Sequence, residues 1–183
     1  MPALTIYRHD EFPSVYNWQA IAFMRCEWPS IFQGDILYLS APYPPEWEPV
    51  HFVLAEGDSL LSYATLMKRS ISHAGREHSI HGFGNMFTFP PYRKQGYGQK
   101  VLHTASEFIQ QSSVDLGILF CDKSLESYYA REGWSATKTP TYLGYPEEHS
   151  LYEPSRMMLF VSDKGKAART DFDNSALHLD YPW

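Results

Sequence analysis

Apolar and polar positions along this chain change their period several times, and each change marks an element. The alternating start "ALTIY" (3–7) predicts a first strand. "SVYNWQAIAFMRCEW" (14–28) shifts to helical spacing, with Val15, Trp18, Ile21, Ala22 and then Met24 or Arg25 on one face and Ser14 placed to cap it. Periodicity lapses over 29–50, where "APYPPEWEP" holds four prolines; a substrate-facing flap and a rigid connector both fit it. "HFVLAEG" (51–57) and "SLLSYATLMKRSIS" (59–72) predict two strands joined at Gly57-Asp58. "AGRE" makes a second turn, and "HSIHGFGNMFTF" (78–89) predicts a long strand stopped by Pro90-Pro91.

From 96 to 111 the pattern is helical again. Val101, Leu102, Ala105, Phe108 and Ile109 form one stripe. "VDLGILFC" (114–121) is an unbroken apolar run of strand length, the mark of a strand buried on both faces. "SLESYYAREG" (124–133) predicts a short helix ended by Gly133, and "RMMLFVS" (156–162) a last strand. The tail 163–183 is polar and then aromatic. The order is strand, helix, antiparallel strands, then strand–helix–strand–helix–strand. It predicts a mixed α/β single domain, 1–183, on one central sheet, with no repeat and no linker.

Composition narrows the function. At 183 residues, 44% hydrophobic and 20% charged, the chain suits one globular domain. A net charge of −6 argues against nucleic acid, whose phosphates need a basic surface. It suits a cationic small molecule, though plain solubility accounts for it first. Aromatics reach 16%, enough for a core and for a pocket wall. Cys26 and Cys121 form no CxxC pair, so no zinc or redox site is expected; Cys121 ends an apolar run and reads as a core thiol. His73 and His78 flank a turn and are expected to face solvent, with no metal. The start lacks a signal-peptide pattern and no apolar run nears the roughly 20 residues of a membrane span, so a cytoplasmic protein without membrane contact is expected.

The stretch "PPYRKQGYGQK" (90–100) sets Gly96 and Gly98 among cations where a helix begins. Helix N-termini present unpaired N–H groups and partial positive charge, and glycine lets an anion approach the backbone. Arg93, Lys94 and Lys100 add charge. The strand–loop–helix context reads as a pyrophosphate cradle, though neither GxxxxGK[ST] nor GxGxxG is present. The spacing Arg93-x-x-Gly96-x-Gly98 resembles the acetyl-CoA loop, [Q/R]-x-x-G-x-[G/A], of the GNAT superfamily of N-acetyltransferases. The aromatic-rich "NMFTFPPY" stands where that family has its fourth strand, an amphipathic helix follows, and "YYAREGW" resembles its Y-x-x-x-G-[FW] segment. The resemblance covers roughly 50–162, with a cofactor-binding core at about 78–134. "VDLGILFCDKSLESYYAREGW" with "TPTYLGYP" looks like the aminoglycoside 2'-N-acetyltransferase branch.

The resemblance implies a GNAT fold, a central mixed, mostly antiparallel twisted sheet flanked by helices, and acetyl-CoA as cofactor. It implies that backbone N–H groups of Gln95, Gly96, Tyr97, Gly98 and Gln99, with Lys94, hold the pyrophosphate. Arg93, at the loop entrance, is either a phosphate contact or a capping cation. Phe87, Thr88 and Phe89 would pair through their backbones with the pantetheine arm, one N–H steadying the thioester oxygen. Tyr129 matches the tyrosine that protonates the departing thiolate, with Tyr128 turned to the core. Asp122 stands where many relatives have a cofactor-contacting Asn; the acid departs from that pattern and could serve as a helix cap instead.

The general base is open. Where many relatives carry a strand carboxylate this chain has Gly84. Strand alternation puts His81, Phe83, Asn85 and Phe87 on one face, which makes His81 the nearest titratable group. A structural histidine, Glu56, or a water chain stand beside it. The expected activity is acetyl transfer to a small cationic amine by direct attack. Glu46, Glu48, Tyr43, Trp47 and Trp134 would wall its pocket, unless "PPEWEP" (44–49) is simply a solvated proline-rich loop. An acyl-CoA sensor without turnover and a peptide N-terminal acetyltransferase are the alternatives. Pairing through the last strand, common in the family, would make a homodimer, though no residue here specifies it. Trp183 either folds back on the acceptor site or frays.

Overall fold

The computed structural model of the protein describes residues 1–144, 150–180 and 183. Tyr145 and Pro146 of "TPTYLGYP" therefore lie outside the described residues. Two compact units interleave along the chain: Met1–Met67 with Asn85–Ala105, and Lys68–Gly84 with Ser106–Trp183.

The first unit holds β1 (Ala3–Arg8), α1 (Ser14–Glu27), β2 (Val50–Glu56), the start of β3 (Ser59–His73), the end of β4 (Arg76–Thr88) and the start of α2 (Tyr97–Gln110). β1 runs antiparallel to β2 from Ala3↔Ala55 to Arg8↔Val50, and β2 antiparallel to β3 with a bulge at Leu54/Ala55. Val53, Ala55, Tyr63 and Phe87 of the sheet meet Ala20, Ile21, Phe23 and Met24 of α1 in one apolar cluster. The helix buries part of the stripe its pattern suggested, Ile21 and Met24, and adds Ala20 and Phe23, while Val15 and Trp18 are exposed, at 40% and 57%. Nor is Ser14 the cap. It is the first helical residue, and the Pro13 carbonyl takes the N–H groups of Tyr16 and Asn17. Between α1 and β2 only three short 3₁₀ turns form, at Pro29–Ile31, Gly34–Tyr38 and Pro45–Trp47.

In the second unit the sheet order is β3-β4-β5-β9-β6, with β5 at Leu116–Cys121, β6 at Ser135–Ala136 and β9 at Ser155–Phe160. β5 is buried as its apolar run required: parallel to β4 over Ile80↔Leu116 to Phe83↔Leu119, antiparallel to β9 on its other side. A small second sheet, β10-β7-β8, joins β7 (Thr141–Leu143), β8 (Ser150–Tyr152) and β10 (Leu177–Leu179). α3 spans Glu126–Ala130.

The 163–183 region is not a plain tail. It folds as α4 (Asp163–Ala167), α5 (Arg169–Asn174) and β10, and puts Ala168, Phe172, Leu177 and Leu179 into a core with Ile71, Ile80, Leu116, Ile118 and Met158. Ser162 caps α4 by accepting from the Gly165 N–H at 3.0 Å. A Cβ at Gly165 would come to 2.1 Å from the Asp115 carbonyl oxygen, so only glycine lets α4 sit this close to β5. Asp115 itself takes Ser79 N, Ser162 Oγ and Lys164 Nζ at 3.0, 2.7 and 2.9 Å. Trp183 donates from Nε1 to the Ile118 carbonyl at 3.2 Å and rests against Phe120. The histidines expected in solvent are buried. His73 stacks on Phe172 at 4.0 Å and His78 lies 5.6 Å from the same ring. The segment that looked like a free tail is what covers them.

The fold is thus a mixed α/β architecture with a mostly antiparallel sheet flanked by helices. No helix among the described residues is long and apolar enough to cross a membrane. Among those residues no group of three His, Cys, Asp or Glu is placed to hold a metal ion.

Candidate active site

In the first unit the chain leaves β4, makes a 3₁₀ turn at Pro90–Tyr92 and enters α2 at Tyr97. Lys94 and Gly96 adopt left-handed φ values of 64° and 80°. For Gly96 that conformation is free of Cβ strain, and a Cβ there would meet nothing within 4 Å. The Gly96 carbonyl accepts the Lys100 N–H at 3.0 Å, which makes Gly96 the N-cap of α2. The N–H groups of Tyr97, Gly98 and Gln99 are then the first three of the helix, which by geometry have no intrahelical acceptor. Lys94, Gln95 and Lys100 are exposed around them.

Arg93 is already engaged. Its Nε donates to the Thr88 carbonyl at 2.9 Å, and its guanidinium lies 3.6 Å from Glu27. The strand end is braced as well: Ser62 Oγ donates to the Phe87 carbonyl at 2.9 Å and lies 2.8 Å from Thr88 Oγ1. The Phe89 N–H is taken by the Leu61 carbonyl at 3.0 Å. Of the three strand-end residues, Phe89 therefore has its amide committed to β3. Phe87 is buried against Phe23 and Tyr63.

Asn85 was not singled out by its residue type. Its φ is 53°, inside β4. A left-handed residue breaks the pleat, so the alternation that placed His81, Phe83, Asn85 and Phe87 on one face does not run through it. The β4–β5 ladder ends at Phe83↔Leu119, two residues before Asn85. Its Nδ2 is buried without a hydrogen-bond partner among the described residues. Gly84 beside it is a partial signal, since a glycine inside a strand pattern suggests irregular backbone without saying which residue turns left-handed.

In the second unit, Phe83 meets Tyr129 edge-on at 6.2 Å and Trp134 at 5.9 Å. Tyr129 is the more buried of the tyrosine pair, at 7% exposure, so the assignment of Tyr128 to the core is reversed. Burial, then Cys121 and Tyr128, push the Tyr129 phenol well above its ordinary value; burial and Glu132 push Tyr128 up to about 12. Both stay protonated at neutral pH. Burial first, then Glu126 and Asp122, raise the Cys121 thiol to about 11, as suits the core thiol expected there. Trp134 is 2% exposed and donates from Nε1 to Ser106 Oγ at 2.9 Å; it is core, not a pocket wall.

His81 is 6% exposed and lies 6.0 Å from Phe108 of α2. It is paired in register with Gly117, a position that admits no Cβ without crowding Ile109 and Trp134 at 3.1 Å. Asp122 precedes the 3₁₀ turn Lys123–Leu125; its carbonyl accepts the Leu125 N–H, and its side chain makes no cap. Glu46 and Glu48 are exposed, and Tyr43 is buried beside Trp47 at 5.7 Å. Glu56 is exposed at the end of β2.

No family model matches the chain, and no curated protein sequence matches it. Solved structures do. An acyl-CoA N-acyltransferase from Pseudomonas aeruginosa covers 86% of this chain and 99% of its own, at 15% identity and a TM-score of 0.60. A GNAT family N-acetyltransferase from Escherichia coli, in complex with CoA, covers 98% and 89%, at 12% identity and 0.57. An aminoglycoside 6'-N-acetyltransferase complexed with coenzyme A covers 86% and 97%, at 14% identity and 0.59. The chain carries the fold of these GNAT acyltransferases.

Proposed function

We propose that this chain is an acetyl-CoA-dependent N-acetyltransferase acting on a small cationic amine, polyamine-like or aminoglycoside-like. The observation that carries the reading is the entry into α2. Left-handed Lys94 and Gly96 lead into a helix start whose first N–H groups lack intrahelical acceptors, beside exposed cations. That donor set fits a diphosphate. The fold likeness to two structures that hold coenzyme A supports it. The aminoglycoside 2' branch rests on the sequence resemblance alone.

Acetyl-CoA supplies the activated acyl group. Gln95, Gly96, Tyr97, Gly98 and Gln99 hold its diphosphate through backbone N–H groups, with Lys94 supplying charge. Arg93, tied to Thr88, braces the loop and acts through it. Phe87 and Thr88 offer backbone groups to the pantetheine arm. Tyr129 gives its phenolic proton to the leaving sulfur. The burial that raises this phenol keeps it protonated at neutral pH, the form a proton donor needs. Asp122 is read as a turn residue and His81 as packing, with water taking the amine's proton. The acids Glu46 and Glu48 would attract the cation.

The test is thiol release from acetyl-CoA with a panel of polyamines, aminoglycosides and peptide N-termini. Turnover with one cationic amine, lowered about 10²-fold by Tyr129→Phe, is expected. CoA binding without turnover by any amine would favour the sensor reading, which the glycine at position 84 and the buried His81 make specific. Turnover of peptides alone would overturn the small-amine assignment.

A further inference from the structure

Two independent features converge on Asn85. Its backbone is left-handed in the interior of a strand, a conformation that asparagine tolerates better than most side chains and glycine better still. Its amide nitrogen is buried and has no partner among the described residues, although such donors are nearly always satisfied. The backbone alone does not account for the residue: glycine would take this φ without strain and would bury no donor. An orphaned amide N–H is a group waiting for an oxygen.

Position says which oxygen. Asn85 follows the last β4–β5 rung by two residues and precedes Phe87 and Thr88, the residues assigned above to the thioester arm. A cationic amine has no lone pair to accept this bond until it is deprotonated, and the diphosphate is assigned to the loop nine residues or more further on, at Lys94 and beyond. What remains is a neutral carbonyl. We propose that the side-chain amide of Asn85 donates a hydrogen bond to the carbonyl oxygen of the acyl thioester, alongside the backbone. This rests on the acetyltransferase reading and names a further group in it.

When the amine nitrogen bonds the acyl carbon, the carbonyl electron pair moves onto oxygen, where Asn85 meets it. The pair then returns as the carbon–sulfur bond breaks. Sulfur leaves with the bonding electrons and takes a proton, and the nitrogen gives one up to water. A neutral donor fixed in advance favours the charged oxygen over the ground-state one, so Asn85 acts on the rate more than on binding.

The variants are Asn85→Gly, which keeps the left-handed backbone and removes the amide, and Asn85→Asp, which keeps the shape and replaces the donor with a carboxylate. Both are measured for kcat and KM in thiol release, and for calorimetric affinity toward CoA, which lacks the acyl carbonyl, and toward acetyl-CoA. A kcat loss of about 10²-fold in both, with CoA affinity within about twofold of wild type, is expected. Wild type is also expected to hold acetyl-CoA more tightly than CoA, a preference that Asn85→Gly removes. Wild-type kcat in Asn85→Gly, an unchanged preference, or a loss of CoA affinity as large as the loss of rate would each overturn the proposal. Wild type that binds neither CoA nor acetyl-CoA would instead overturn the acetyltransferase reading, and this proposal with it.

Discussion

Acidification should destabilise this protein through His51. The ring is 1% exposed and stacks on Phe12 at 3.9 Å with an interplanar angle of 9°. Its Nδ1 meets the Tyr63 hydroxyl at 2.7 Å, while Tyr63 accepts from Thr65 at 2.6 Å, and its Nε2 has no partner among the described residues. Burial, with His9 adding to it, pushes the imidazole from 6.5 down to about 3. The unfolded chain therefore takes up a proton below pH 6.5 that the folded chain refuses until about pH 3. Stability is full above pH 6.5 and falls as pH drops through that window.

One proton is worth about 1.4 kcal/mol per pH unit, so His51 alone removes about 2 kcal/mol between pH 6.5 and pH 5. Burial also lowers His73 and His78, with the same sign. Urea unfolding of wild type and His51→Gln at steps from pH 7.5 to 5 measures the slope. The wild-type slope should exceed that of His51→Gln by close to one proton. Equal slopes, or a wild-type stability flat over the window, would refute the reasoning.

Other perturbations test other parts. Gly165→Ala drives a methyl group to 2.1 Å from the Asp115 oxygen, and α4 must shift; a loss of about 1–3 kcal/mol in denaturant unfolding is expected, and a neutral result would show that α4 does not press on β5 as described. His81→Gln should lower the thermal midpoint yet leave kcat in thiol release within about threefold, whereas a 10²-fold loss at unchanged fold would make His81 the base after all. Gly96→Val puts a β-branched residue at a φ of 80°; it should cost about 1–3 kcal/mol in unfolding and weaken CoA binding by the folded variant tenfold or more, read by calorimetry.

Much of the architecture was legible because its signals are local. β5 announced itself as an unbroken apolar run, and the buried stripe of α2 fell on Val101, Leu102, Ala105 and Ile109 as the spacing required. The α1 stripe was right at Ile21 and Met24 and wrong at Val15 and Trp18, because the helix is rich in apolar residues all round and only the sheet decides which side is covered. The C-terminal helices failed because Lys-Gly-Lys inside α4 reads as loop; the glycine is there for the approach to Asp115, a contact about 50 residues distant in sequence that no window reveals. The burial of His73 and His78 followed from the same omission. In the candidate site, the left-handed loop was readable from Gly96, whereas the engagement of Arg93 with Thr88 and the orphaned amide of Asn85 depend on backbone angles that composition does not encode.

The claim on which the functional reading turns is that the start of α2 and the loop before it hold a diphosphate. Isothermal titration of CoA into the full chain, with 3'-dephospho-CoA and pantetheine as partial ligands, tests it most directly. Saturable one-to-one binding of CoA and dephospho-CoA, weakened tenfold or more in Gly96→Val and absent for pantetheine, is the expected result. No heat with CoA, or equal affinity for pantetheine, would contradict it.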